Sequence, residues 1–218
     1  MPSHHVTSRP APRRSACALV LALLLALGVG GGVAWAKGHA ALARRAERAT
    51  PRDGGQASGV GPCPDTTLMP TASDIARIAR STLCLINQQR RRYGLVPLVE
   101  NSDLDRAALG HSQDMVAHGY FDHDSPSGST PTSRMIGSGY ISNRVGYEIG
   151  ENIAWGTLNL ATPQSIVTAW MNSPPHRANI LRPQFRQTGL GIVAAVPSTE
   201  AQGQPGATYT QDFGVILG

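Results

Sequence analysis

Three side chains in this sequence have the types and the setting for chemistry. They are His123 in "YFDHDSPSGSTP", Glu151 in "GYEIGENIAWG" and His176 in "WMNSPPHRANIL". Two imidazoles and a carboxylate can hold Zn²⁺ and leave a fourth position open to water. The same trio can act without metal as general acid and base. The residues stand 28 and 25 positions apart, and no HExxH-type spacing puts two of them on one helix face, so the fold must bring them together. A purely structural role is the alternative, with Glu151 accepting hydrogen bonds from backbone amides or His123 and Arg177 capping chain carbonyls. Other chemistries lack their motifs. There is no G-x-S-x-G elbow, and no glycine loop followed by Lys-Ser/Thr to cradle a phosphate.

The elements that must position these groups are legible from Thr71 onward. "TASD" spaces Thr71 and Asp74 as in a capping box, and Ile75, Ile78, Thr82, Leu85 and Ile86 form one stripe of an amphipathic helix. Gly94 ends it, and "RRR" at 90–92 is expected as its solvated last turn, where cations suit the helix dipole. Asn101 caps a second helix, Leu104, Ala108, His111 and Met115 share its inner face, and Gly119 closes it. His111 is thus an inward-facing core histidine. The 120–131 stretch, with its prolines, serines and charged groups, is a loop, followed by a short helix over 132–136. Thr162-Pro163 and Ser173-Pro174 each give a cap followed by a proline at the first helical position, so the double proline joins two helices. "GLGIVAAV" and "TYTQDFGVIL" read as a late β-hairpin. Helices with a small late antiparallel sheet make the class α+β, as a layered α/β/α sandwich.

Charge divides the chain. Residues 1–60 hold 8 Lys+Arg and 2 Asp+Glu, whereas the remaining 158 hold 11 and 12. The net charge of +5 therefore belongs to the N-terminal segment, and the near-neutral remainder lacks the basic face that nucleic-acid binding needs. Residues 1–36 read as a signal peptide or signal anchor. Arg13 and Arg14 precede an apolar stretch, and "AWA" at 34–36 suits cleavage before Lys37. Left uncleaved, Ala16 to Ala36 is just long enough to span a bilayer. Either way the rest is exported, secreted or anchored in the cell envelope, and membrane contact is expected only through this segment. Residues 37–70, poor in large apolar side chains, are expected as a disordered linker, leaving 71–218 as the folded domain. In an oxidising compartment Cys63 and Cys84, the pair left once Cys17 is assigned to the signal, are expected as a disulfide, worth about 3 kcal/mol for a loop of this size.

Five ordered motifs carry a resemblance: "NQQRRRYGLVPLVENSDLDRAALGHSQDM", "GYFDHDSPSG", "GENIAWG", "AWMNSPPHRANIL" and "YTQDFG". The chain from about Ile75 resembles a bacterial CAP domain, of the superfamily of cysteine-rich secretory, antigen 5 and pathogenesis-related proteins. The resemblance implies the α/β/α sandwich, secretion, and a cleft of two histidines and two glutamates that binds a divalent cation. His123 and Glu151 match two of these four. The second glutamate falls on Ser173, and the second histidine's motif is absent, with Gln184 and Phe185 near its place. His176 belongs to the bacterial "HR" motif and is the candidate to fill that place. With one carboxylate and two imidazoles, zinc is favoured over calcium. Two functions follow as expectations. One is a binding module without turnover, whose cleft (His123, Glu151, Ser173, His176) takes an extracellular lipid, peptide or envelope component. The other is a zinc hydrolase with the metal on His123, Glu151 and His176.

Overall fold

The computed structural model describes residues 61–142, 146–197, 201 and 203–217. The segment 1–36, read as signal or anchor, and most of the 37–70 linker lie outside the described residues. Among the described residues no helix is long and apolar enough to cross a membrane. The elements are α1 (Ile75–Arg92), β1 (Val99–Glu100), α2 (Ser102–His118), α3 (Pro131–Gly137), β2 (Gly146–Thr157), a 3₁₀ turn (Leu158–Ala161), α4 (Pro163–Asn172), α5 (Pro174–Ile180), β3 (Gln187–Val193) and β4 (Gly206–Leu217).

The strands form one sheet in the order β1-β3-β4-β2. The late hairpin is present as β3–β4, antiparallel, and β2 adds antiparallel to the far side of β4. β1 pairs parallel to β3 over two residues, so the expected antiparallel sheet is in fact mixed. The fold is α+β, with helices on both faces of the sheet. Ile192, Tyr209 and Phe213 on one face pack with Ile78 and Ile86 of α1 and with Ile166, Val167 and Trp170 of α4. Leu104, Ala107, Met135, Tyr140 and Ile141 form a second apolar cluster around α2 and α3.

Small residues let α2 lie directly on the sheet. A Cβ on Gly191 would stand 2.1 Å from the carbonyl carbon of Ala108, and one on Gly189 2.1 Å from that of Leu104. Both clashes are with helix backbone, which has nowhere to move. Gly191→Ala is therefore expected to lower stability by about 3 kcal/mol, the upper end for overpacking a core. Urea denaturation reads this, and an unchanged midpoint would show that α2 can stand off.

The caps fall largely where expected. Asn101 accepts from the amides of Asp103 and Leu104, and Gly119 closes α2 at φ 66°. Thr162 accepts from the Ser165 amide at the start of α4. At α1 the pattern differs, because the Thr71 hydroxyl donates to the Asp74 carboxylate (2.6 Å) rather than capping the helix. Cys63 and Cys84 form the disulfide, with Cα atoms 5.7 Å apart.

Two expectations need correction. Residues 61–70 are not linker but part of the domain. Leu68 and Met69 pack on the core, the Gln164 amide donates to the Thr66 carbonyl (2.9 Å), and Asp65 pairs with Arg77 at 2.7 Å. Nor is Arg90 a solvated cation at a helix end. Its side chain is fully buried, and the guanidinium serves four backbone carbonyls.

Candidate functional site

The centre of the site is the alternation of a strand. Successive residues of β2 face opposite layers, so Glu151 and Asn152 anchor different parts of the domain. Asn152 faces α5, where its amide donates to the His176 carbonyl (3.2 Å) and its oxygen accepts from Asn179 (2.9 Å). Glu151 faces the α2–α3 layer and is buried. Gly150 precedes them because a Cβ there would stand 3.1 Å from Asn179 and Phe185.

Each oxygen of Glu151 has its own partner. Oε1 accepts from His123 Nδ1 at 2.8 Å, and Oε2 from Arg134 Nη2 at 2.7 Å. Arg134, about nine-tenths buried, also donates to the carbonyls of His123 (2.9 Å) and Ser129 (3.1 Å). One guanidinium thereby holds the loop against the strand. It is carried by α3, which begins immediately after that loop with a capping box between Thr130 and Ser133 and with Pro131 at its first position. Burial opposes ionisation of Glu151, but the His123 hydrogen bond and the Arg134 charge outweigh it and hold its pKa below the usual carboxylate range. The same hydrogen bond raises His123 above an ordinary imidazole.

Two more titratable groups complete the cluster. His111 is fully buried, as its place on the inner stripe of α2 implied. Its Nε2 donates to the Asp122 carbonyl (3.0 Å) and stands 3.9 Å from Glu151 Oε1. Burial lowers its pKa and keeps it neutral. Asp212 lies directly across from Glu151 in the β2–β4 pairing. It is fully buried, and no hydrogen-bond donor among the described residues reaches either oxygen. Burial, and then the charge of Glu151, push its pKa far up. A carboxyl in this setting keeps its proton and can donate it to Glu151.

The sequence trio therefore divides into two. His123 and Glu151 meet, whereas His176 binds a different partner, with its Nδ1 2.8 Å from Ser173 Oγ. Ser173 begins α5 but its hydroxyl does not cap the helix. Burial and the nearby charge of His123 lower the pKa of His176. Phe185, near the expected place of a missing histidine, is core, stacked on Phe213 with ring centres 5.4 Å apart.

Residues 83–212 match the profile of CAP, the cysteine-rich secretory protein family. The chain belongs to the CAP family. Among CAP-type relatives, the uncharacterised Bacillus subtilis protein YkwD is 38% identical over 141 residues, 65% of this chain and 48% of that protein. The uncharacterised membrane protein YlbC of the same organism is 30% identical over 113 residues, 52% of this chain and 31% of that one. The chain thus spans about half or less of the curated relatives it matches. Of solved structures, an extracellular SCP-domain protein of Bacillus anthracis aligns with a TM-score of 0.52 and 28% identity, over 66% of this chain and 43% of that one. An outer surface protein of Borrelia burgdorferi shares the fold, with a TM-score of 0.52 and 17% identity over 68% and 97% of the two chains.

The metal that the CAP resemblance implies does not fit the residues present. A dication on His123, Glu151 and His176 needs their lone pairs to converge. Here Glu151 gives one oxygen to a guanidinium and the other to His123, and His176 turns to Ser173. Among the described residues no group of three or more His, Cys, Asp or Glu is placed to hold a metal ion. Sequence reasoning missed Arg134 and Asp212. Asp212 had one available signal, as a carboxylate within the β-rich segment that holds "YTQDFG". Arg134, on a short helix in a loop-rich stretch, had none.

Proposed function

We propose that this CAP domain is a binding module of the cell envelope or extracellular space, taking a polar envelope component without turnover through the cleft faced by His123 and His176. The observation that carries this reading is the arrangement of the two partly exposed imidazoles. Each is held by its Nδ1, His123 to Glu151 and His176 to Ser173, and neither Nε2 has a partner among the described residues. Glu151 favours the protonated form of His123, while burial favours the neutral form of His176. One ring then favours a charged donor, and the other a neutral nitrogen that donates or accepts according to its tautomer. Such a pair suits a ligand rich in carboxylates, amides or hydroxyls, such as peptide or glycan fragments of the envelope, better than a lipid tail. An export signal in the sequence, the extracellular Bacillus anthracis relative and the membrane relative support the location.

The zinc hydrolase gains nothing from the geometry, because its carboxylate ligand is committed to Arg134. The test is calorimetric titration with soluble envelope fragments, with lipid vesicles as comparison. His123→Ala and His176→Ala are each expected to weaken fragment binding at least ~10-fold, the loss of a charge-assisted hydrogen bond, while the fold is kept. Equal affinity in both variants, or binding to vesicles alone, overturns the reading.

A further inference from the structure

We infer that Arg134 is the resident cation of this CAP site: its guanidinium takes the place of a metal, inside a set of two imidazoles and two carboxyls made by His111, His123, Glu151 and Asp212.

By sequence, the departure at Ser173 leaves the site one carboxyl short. The structure supplies a second carboxyl from another element. Asp212 of β4 is the direct cross-strand neighbour of Glu151, on the sheet face that meets α2, and α2 brings His111 to 3.9 Å from the same carboxylate. All three are buried. These groups of metal-ligating type border Glu151 without being placed to hold a metal ion together, and the cation against it is a side chain. Arg134 Nη2 stands 2.7 Å from Glu151 Oε2, and its other bonds to the carbonyls of His123 and Ser129 fix it in that position. The guanidinium supplies one positive charge directly against the Glu151 carboxylate. A dication would have to displace Arg134 or sit beside it, where like charges repel at short range and low dielectric. It would also have to turn His111 away from the Asp122 carbonyl. The assignment is independent of what the cleft binds.

The test uses the untagged full chain and zinc alone, followed by calorimetry and by melting with and without metal. Wild type and Arg134→Lys are expected to show no zinc binding that depends on Glu151. Arg134→Met removes the charge while keeping much of the side-chain volume. It is expected to bind zinc at least ~10-fold more tightly than Arg134→Lys, to melt higher with zinc, and to lose both gains when combined with Asp212→Asn. One zinc per wild-type chain, lost in Glu151→Gln, overturns the assignment. So does a folded Arg134→Met with no more affinity than Arg134→Lys. If Arg134→Met folds only with zinc, the assignment is supported. If it folds in neither condition, the wild-type and Glu151→Gln titrations decide.

Discussion

Arg90→Ala is expected to cost the domain about 4 kcal/mol or more, enough to threaten folding at physiological temperature. Arg90 Nε donates to the Val96 carbonyl (2.8 Å), Nη1 to those of Ile180 (2.7 Å) and Arg182 (3.0 Å), and Nη2 to that of Phe185 (3.1 Å). The side chain therefore joins the last turn of α1 to the end of α5 and to the approach to β3. Removing it strands carbonyls in the interior, where each unpaired group costs about 1–3 kcal/mol, and leaves a void besides. Typical domains have a total stability of about 5–15 kcal/mol. For a domain of this size each kcal/mol lowers Tm by about 2–4 °C, so a drop of roughly 10 °C or more is the expected result of a thermal scan. Among the described residues no carboxylate pairs with Arg90, and burial, then Arg186, lower its pKa to about 10, which still leaves it charged at neutral pH. Its task is the placement of donors rather than charge pairing. Arg90→Lys should consequently recover little, because an ammonium concentrates its donors at one point and cannot span four carbonyls. A wild-type melting curve for Arg90→Lys would show that charge alone suffices.

Arg90 also shows where the sequence was informative and where it was not. The buried stripe of α1 runs Ile78, Thr82, Ile86, Arg90, in strict steps of four. The apolar members were readable from periodicity, but the stripe's last member is a cation in a run of three, which reads as solvent-facing unless its acceptors are known. Three of its four acceptors lie 90 to 95 residues away in sequence. The helices were otherwise legible because their signals are local: Asn101, Gly119, Thr162-Pro163 and Ser173-Pro174 all mark real boundaries. β2 was not, since its glycines and its polar Glu151-Asn152 pair break the apolar alternation that identifies a strand. That pair exists because both faces of this edge strand must hold a partner layer. Within the site, His123 and Glu151 could be nominated from residue type. Arg134 and Asp212 become relevant only through the β2–β4 register and the approach of α3, which no local pattern encodes.

The two buried carboxyls should respond differently to replacement by an amide. Glu151→Gln is expected to cost about 3 kcal/mol, the lower end for removing one partner of a buried ion pair, because it leaves Arg134 without its counter-charge while keeping an acceptor. Asp212→Asn should cost little at neutral pH, since burial keeps Asp212 protonated and an amide resembles a neutral acid in shape. It should also flatten the dependence of stability on pH. In the unfolded chain Asp212 ionises near pH 3.9, while in the fold it keeps its proton far above that, so folding takes up a proton. Stability therefore falls with rising pH, by about 1.4 kcal/mol per unit for one proton, until the raised folded pKa is reached. His123 acts in the same direction. Its raised pKa gives a contribution fully present below about pH 6.5 and lost as the pH climbs through the folded value. His111 and His176, both lowered, oppose this only below about pH 6.5, where the unfolded chain would protonate them. Above about pH 6.5 the falling slopes are left in place, that of His123 and that of Asp212, each until its raised folded pKa is passed. Urea titrations from about pH 4 upward should show Asp212→Asn declining less steeply than wild type over the range in which the buried carboxyl keeps its proton. An unchanged slope would mean that Asp212 is already ionised in the fold.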